Sequence, residues 1–72
     1  MNRATRYEFS TGERFRVWRY PATASLEIER ISDGANLFFQ AGDDSNGLEA
    51  ELESRYVDDV CGEYEHCLRF ET

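Results

Sequence analysis

The apolar residues of this chain change their repeat near residue 42, and that change limits the fold more than any other feature. Over the first forty residues they alternate with period two, as strands do. Tyr7 and Phe9 precede the turn signal Ser10-Thr11-Gly12. Arg14-Phe15-Arg16-Val17-Trp18-Arg19-Tyr20 largely alternates basic with apolar and stops at Pro21. Leu26-Glu27-Ile28-Glu29 alternates again, Asp33-Gly34 is a type I′ hairpin signal, and Leu37–Gln40 follows it. Strands are expected near 6–9, 14–20, 25–31 and 36–40.

Their registers can be tested against one another. A tight turn at Tyr20–Thr23 sets Phe15 opposite Ile28 and Val17 opposite Leu26. It also sets Arg14 opposite Glu29 and Arg16 opposite Glu27, so inner pairs are apolar and outer pairs oppositely charged. A two-residue turn at Asp33-Gly34 then puts Phe39 opposite Ile28 and Phe38 opposite Glu29. Trp18 and Phe38 point away from the core in this register, as binding anchors would. A slip at a bulge near Val17-Trp18 would instead turn Trp18 into the core, and the sequence leaves both open.

One face of such a meander is apolar and must be covered by the rest of the chain. Gly42-Asp43-Asp44-Ser45 ends the last strand and offers helix caps. Leu48, Leu52 and Tyr56 form one apolar stripe, and Val57, Val60, Cys61, Tyr64 and Leu68 a second, rotated one. Two helices, near 44–54 and 56–68, with a break near Ser54–Tyr56, satisfy both stripes. The expected fold is α+β: a four-stranded antiparallel meander with two C-terminal helices packed on one face, in a single domain over residues 1–72. Its core would be Phe9, Phe15, Val17, Leu26, Ile28, Phe39, Leu48, Leu52, Val60, Tyr64 and Leu68.

Charge is the second constraint. The net is −7, but residues 1–32 hold six Arg against four acids, whereas residues 33–72 hold eleven acids against Arg55 and Arg69. An acidic half repels phosphates, so direct binding to nucleic acid is not expected. Carboxylates four apart on a helix lie about 5–6 Å from one another, near the pitch of successive phosphates. Asp43, Asp44, Glu49, Glu53, Asp58, Asp59, Glu63 and Glu65 are therefore candidates for contacting a protein with a basic surface, with Trp18 and Phe38 as the candidate sheet anchors. Reversal of Asp58, Asp59, Glu63 and Glu65 is expected to leave the fold intact.

The remaining motifs point away from chemistry. Asp44, Asn46, Gly47 and Glu53 fall at four positions of a calcium loop, but Gly42 stands where its first acid belongs. A helix cap explains them better. Cys61, His66 and Cys67 lack a fourth ligand at a suitable spacing, and neither helix nor strand brings the two cysteines within disulfide reach. His66 is the lone histidine, and no nucleophile–base arrangement or phosphate loop stands out. No catalysis, cofactor, metal or disulfide is expected. No segment approaches the roughly 20 apolar residues of a membrane span, and Met1–Arg6 lacks the apolar run of a signal peptide. The expected location is the cytoplasm, as monomer or homodimer.

Leu37-Phe38-Phe39-Gln40-Ala41-Gly42-Asp43-Asp44, followed by an acidic helix, resembles short acidic proteins of phages and mobile elements. Size, acidity and the sheet-plus-helix plan are also similar to phage-encoded inhibitors of host defence, anti-CRISPR proteins among them. The resemblance implies a protein partner and an inhibitor that occupies the basic nucleic-acid site of a host complex. The alternative is a regulatory or structural module that docks through the Trp18/Phe38 sheet face.

Overall fold

The computed structural model describes residues 5–70; Arg3 and Glu71, two of the charges counted above, lie outside them. Four strands, β1 (Tyr7–Thr11), β2 (Phe15–Tyr20), β3 (Ser25–Arg30) and β4 (Asn36–Phe39), form an antiparallel sheet in the order β1-β2-β3-β4. Helices α1 (Asp43–Ser54) and α2 (Val57–Gly62) follow and cover one face, and a single 3-10 turn spans Glu65–Cys67. The α+β meander expected from the change of period is the fold.

The register is offset by two residues from the expected one. Val17 pairs with Ile28, Trp18 with Glu27 and Arg16 with Glu29; Leu26 pairs with Phe39, Glu27 with Phe38 and Ile28 with Leu37. The cause lies in the hairpin loops, each four residues long instead of two. Tyr20 pairs with Ser25 across Pro21–Ala24, and the Arg30 amide donates to the Ala35 carbonyl across residues 31–34 at 2.8 Å. Each loop closes through a left-handed residue, Ala24 (φ 58°) and Gly34 (φ 82°). A side chain's face depends on parity alone, so an offset of two preserves every face while changing every neighbour. The bulge sits in β1, between Glu8 and Ser10, and Trp18 keeps its outward position.

Beneath the helices, Phe15, Val17, Leu26, Ile28, Leu48, Val60 and Cys61 are fully buried, with Ala35, Phe39, Val57 and Leu68 completing the core. Phe9, Leu52 and Tyr64 from the expected core pack at its margin. Val57 and Cys61 join the core because α2 begins at Val57 and turns that edge inward.

The helical layer differs from expectation in three places. The N-cap of α1 is Gly42 (φ 108°), with no side-chain cap from Asp43, Asp44 or Ser45; Ser45 is buried against the sheet. The break between stripes is real: Arg55 and Tyr56 are extended, and Tyr56 is 54% exposed instead of belonging to the first stripe. The second helix stops at Gly62, six residues short of Leu68. Arg69 then exchanges two hydrogen bonds with Asn36 (2.7 and 2.8 Å), adding a bridge at the edge of β4.

Candidate functional site

The helices cover only one face of the sheet; the other faces solvent and carries Glu8, Arg16, Trp18, Tyr20, Glu27, Glu29 and Phe38. The register aligns Glu8, Trp18, Glu27 and Phe38 in one row across all four strands. With the tight turns expected from sequence, Trp18 would have faced Ser25, two residues away from this row. The four-residue loops therefore assemble the row, and the parity of the strands aims it outward.

Glu27 lies at the centre and is 7% exposed. Its Oε1 accepts from the Tyr20 hydroxyl at 2.6 Å and from an Arg6 guanidinium nitrogen at 3.0 Å. Arg6, one residue ahead of β1, lays its guanidinium 3.8 Å from the centre of the Trp18 ring, in the range of a cation–π contact. The Tyr20 and Phe38 rings are tilted at 5.9 Å. Burial, and then the bond to Glu27, raise the Tyr20 phenol's pKa above its ordinary value.

Glu29, the next outward carboxylate of β3, is held in a parallel way. It accepts from Trp18 Nε1 at 2.8 Å and from Arg16 Nε at 3.3 Å. Arg16 also bridges to Glu8 at 3.2 Å, and the bonds from Thr11 and Arg16 lower the Glu8 pKa. Trp18 is thus half-buried and its indole N–H is satisfied, whereas Phe38 is 51% exposed. Of the two sheet anchors expected, only Phe38 stands free.

The acidic residues of the helical half are not all free: several are already paired with arginines. Glu49 is taken by Arg19 at 2.7 Å, reaching across from β2. Glu65 bridges Arg14 (3.1 Å) and Arg30 (2.8 Å), in a shallow cleft of about 310 Å³ that Glu13, Ile31 and Ser32 also line. Glu63 and Glu51 both bind Arg55, and the Arg55 contact lowers the Glu63 pKa. Asp43, Asp44, Glu53 and Asp59 are exposed and pair with no cation among the described residues.

Asp58 corrects the expected role most sharply. It is 8% exposed and its carboxylate accepts main-chain N–H bonds from Glu13 (3.0 Å), Arg14 (3.1 Å) and Phe15 (3.1 Å). A Cβ on Gly12 would collide with its Oδ1 and come within 2.6 Å of Val57 Cγ1, so the loop between β1 and β2 closes directly on this carboxylate. Asp58 ties α2 to the sheet, and its reversal cannot spare the fold.

The calcium-loop residues Asp44, Asn46, Gly47 and Glu53 are all within α1. Among the described residues no three His, Cys, Asp or Glu side chains gather as a metal centre would need. Cys61 and Cys67 are free thiols; burial, then Asp58, pushes the Cys61 thiol up to about 12. No helix among the described residues is long and apolar enough to cross a membrane.

Sequence reasoning passed over Arg6, Tyr20 and Glu27. A signal was present: Arg6 and Glu8, Trp18 and Tyr20, and Glu27 and Glu29 are parity mates on one face. Loop length, which decides which of them meet, was not encoded in an equally plain way. No protein-family model, curated protein or solved structure matches this chain.

Proposed function

We propose that the chain works by binding a protein with a basic surface and carries no reaction of its own. The observation that supports this is the sign of the charge left over after internal pairing. Arg6, Arg14, Arg16, Arg19, Arg30 and Arg55 each hold a carboxylate. Glu13, Asp43, Asp44, Glu53 and Asp59 have no cation partner among the described residues, and the chain's net charge is −7. Among the described residues Arg69 is exposed without a carboxylate partner, so one guanidinium stands against five unpaired carboxylates and the surplus facing outward is negative. Such a surface attracts basic partners and repels nucleic acid. A groove that normally holds nucleic acid presents the complementary chemistry, so inhibition of a nucleic-acid-handling complex by occupying that groove is the specific form proposed.

The test is capture of partners from a lysate, then titration of the purified partner at low and high salt. Charge reversal of Asp43, Asp44, Glu53 and Asp59 together should abolish capture, and native binding should weaken steeply with salt. Undiminished binding by the reversed protein would refute the reading. A second reading, docking through the sheet face with acidity serving only solubility, is favoured by the exposure of Phe38. It expects Phe38→Ala to abolish a binding that salt hardly affects.

A further inference from the structure

We infer that Trp18, Tyr20 and Glu27 form a guanidinium-binding site on the open face of the sheet. Arg6 is its resident occupant, and an arginine of a basic partner protein displaces it. This deepens the basic-partner reading and rests on it.

A carboxylate is an unusual residue to bury at the middle of an open sheet face. Glu27 is nevertheless buried to 7% exposure, and an apolar residue of similar size would avoid the desolvation cost. What surrounds it is a recognition set for a planar cation. Trp18 offers a ring face at 3.8 Å from the Arg6 guanidinium carbon, and Glu27 offers an acceptor at 3.0 Å. The Tyr20 hydroxyl, 2.6 Å from the same Glu27 oxygen, fixes the carboxylate in place. Stacking on an aromatic face combined with a directional bond to a carboxylate suits guanidinium better than ammonium.

The occupant is held more lightly than the site. Arg6 lies outside β1, its side chain is 38% exposed against 10% for Glu27, and among the described residues it contacts Glu27, Trp18 and the Tyr20 hydroxyl, with Glu27 as its carboxylate partner. By contrast Arg16, the other cation near Trp18, is fixed by both Glu8 and Glu29. A partner arginine would meet Phe38 beside the site, 51% exposed and on the same cross-strand row. Exchange leaves the charge of the site unchanged, since one guanidinium replaces another.

Trp18 is the lone tryptophan, so its fluorescence reports the site directly. The probes are a short peptide carrying two arginines between neutral residues and its lysine twin. They are titrated into the native protein, Arg6→Ala, and Arg6→Ala combined with Glu27→Gln. Removing the resident arginine should tighten the arginine peptide by about fivefold, because the competent, empty site is then fully populated. The lysine twin should bind more weakly than the arginine peptide, and Glu27→Gln should reverse the gain. Tyr20→Phe in the Arg6→Ala background replaces Glu27→Gln if the latter fails to fold, as judged by circular dichroism, and should also weaken binding.

Equal affinity of native and Arg6→Ala protein, a lysine twin that matches arginine, or indifference to both second substitutions would each overturn the site. If the peptides bind all variants alike and salt weakens them, the basic-partner reading stands while the site falls. If neither peptide binds any variant, the site falls, and reversal of Asp43, Asp44, Glu53 and Asp59 decides the broader reading separately.

Discussion

Among the described residues each face of the sheet buries one carboxylate, and the two are held by different kinds of partner. On the covered side Asp58 accepts from three main-chain amides, of Glu13, Arg14 and Phe15. On the open side Glu27 accepts from two side chains, Tyr20 and Arg6. Main-chain donors cannot leave without unmaking the loop between β1 and β2. A side-chain donor can swing into solvent and be replaced by an equivalent group from outside. The contrast separates a carboxylate that fixes the fold from one that can exchange its partner, although the two are almost equally buried, at 8% and 7% exposure.

The strongest way to break this contrast is to remove Asp58. Asp58→Ala strands three amide donors, that of Phe15 in the interior. Loss of a buried charged acceptor costs about 3 kcal/mol, a large share of what a domain of this size has available. Gly12→Ala should approach the same loss by driving a methyl group into the carboxylate. Urea unfolding of both variants measures this. A loss below about 1 kcal/mol for Asp58→Ala would mean that the loop is held by something else.

The covered face should also resist any new charge, and Cys61 tests that through pH. Its thiol is fully buried and pushed up from 9 to about 12. Below pH 9 the thiol is neutral in both states. Above it, the unfolded chain loses the proton first, so the unfolded state binds fewer protons and stability falls as pH rises towards 12. By pH 11 the loss should reach about 2 kcal/mol from this group. Tyr20 and Tyr56, whose phenols are also raised, steepen the same limb. Cys61→Val should flatten the alkaline decline in chemical denaturation; an unchanged slope would place its cause elsewhere.

How much of this was legible beforehand follows from which physical quantity each feature depends on. Faces depend on parity, so the outward Phe38 and the inward Val17, Ile28 and Phe39 were readable from alternation alone, whereas Trp18 stayed open between the two faces because alternation does not locate a bulge, which lies in β1. The break at Arg55-Tyr56 was readable because two apolar stripes cannot share one straight helix. Neighbours across strands depend on loop length. Asp33-Gly34 suggested a two-residue turn, yet Asp33 serves a longer loop, accepting from the Ala35 amide at 3.1 Å and binding Arg30. The early end of α2 had a weaker signal, Gly62. Asp58 illustrates the deepest limit: beside Asp59 in a polar run, nothing local marks which of the two meets the loop forty-odd residues earlier in the chain.

On the open face, losses should be smaller and separable. Tyr20→Phe removes one hydrogen bond to a carboxylate and should cost about 1–2 kcal/mol. Arg6→Ala removes a partly exposed cation and should cost under about 1 kcal/mol. That order matters, because an exchangeable occupant must be cheap to lose. If Arg6→Ala costs more than Tyr20→Phe in thermal or urea unfolding, Arg6 is part of the structure and the difference between the faces narrows.

The smallest effect on stability is expected next to the largest. Asp59 follows Asp58 on α2, but it points to solvent and pairs with no cation among the described residues. Its position in the first turn of a short helix gives it a favourable dipole contact at most, and exposed substitutions of this kind stay within about 0.5 kcal/mol. Asp59→Lys should therefore unfold at nearly the native urea concentration. Binding to a basic partner should respond differently, since a carboxylate that attracts a cation becomes an ammonium that repels it. A stable Asp59→Lys that binds less tightly, the deficit shrinking as salt is raised, places Asp59 at or near the partner. Equal binding at every salt concentration would move the contact to the other unpaired acids, Glu13, Asp43, Asp44 and Glu53, and leave Asp58 as the sole carboxylate of the pair with a task.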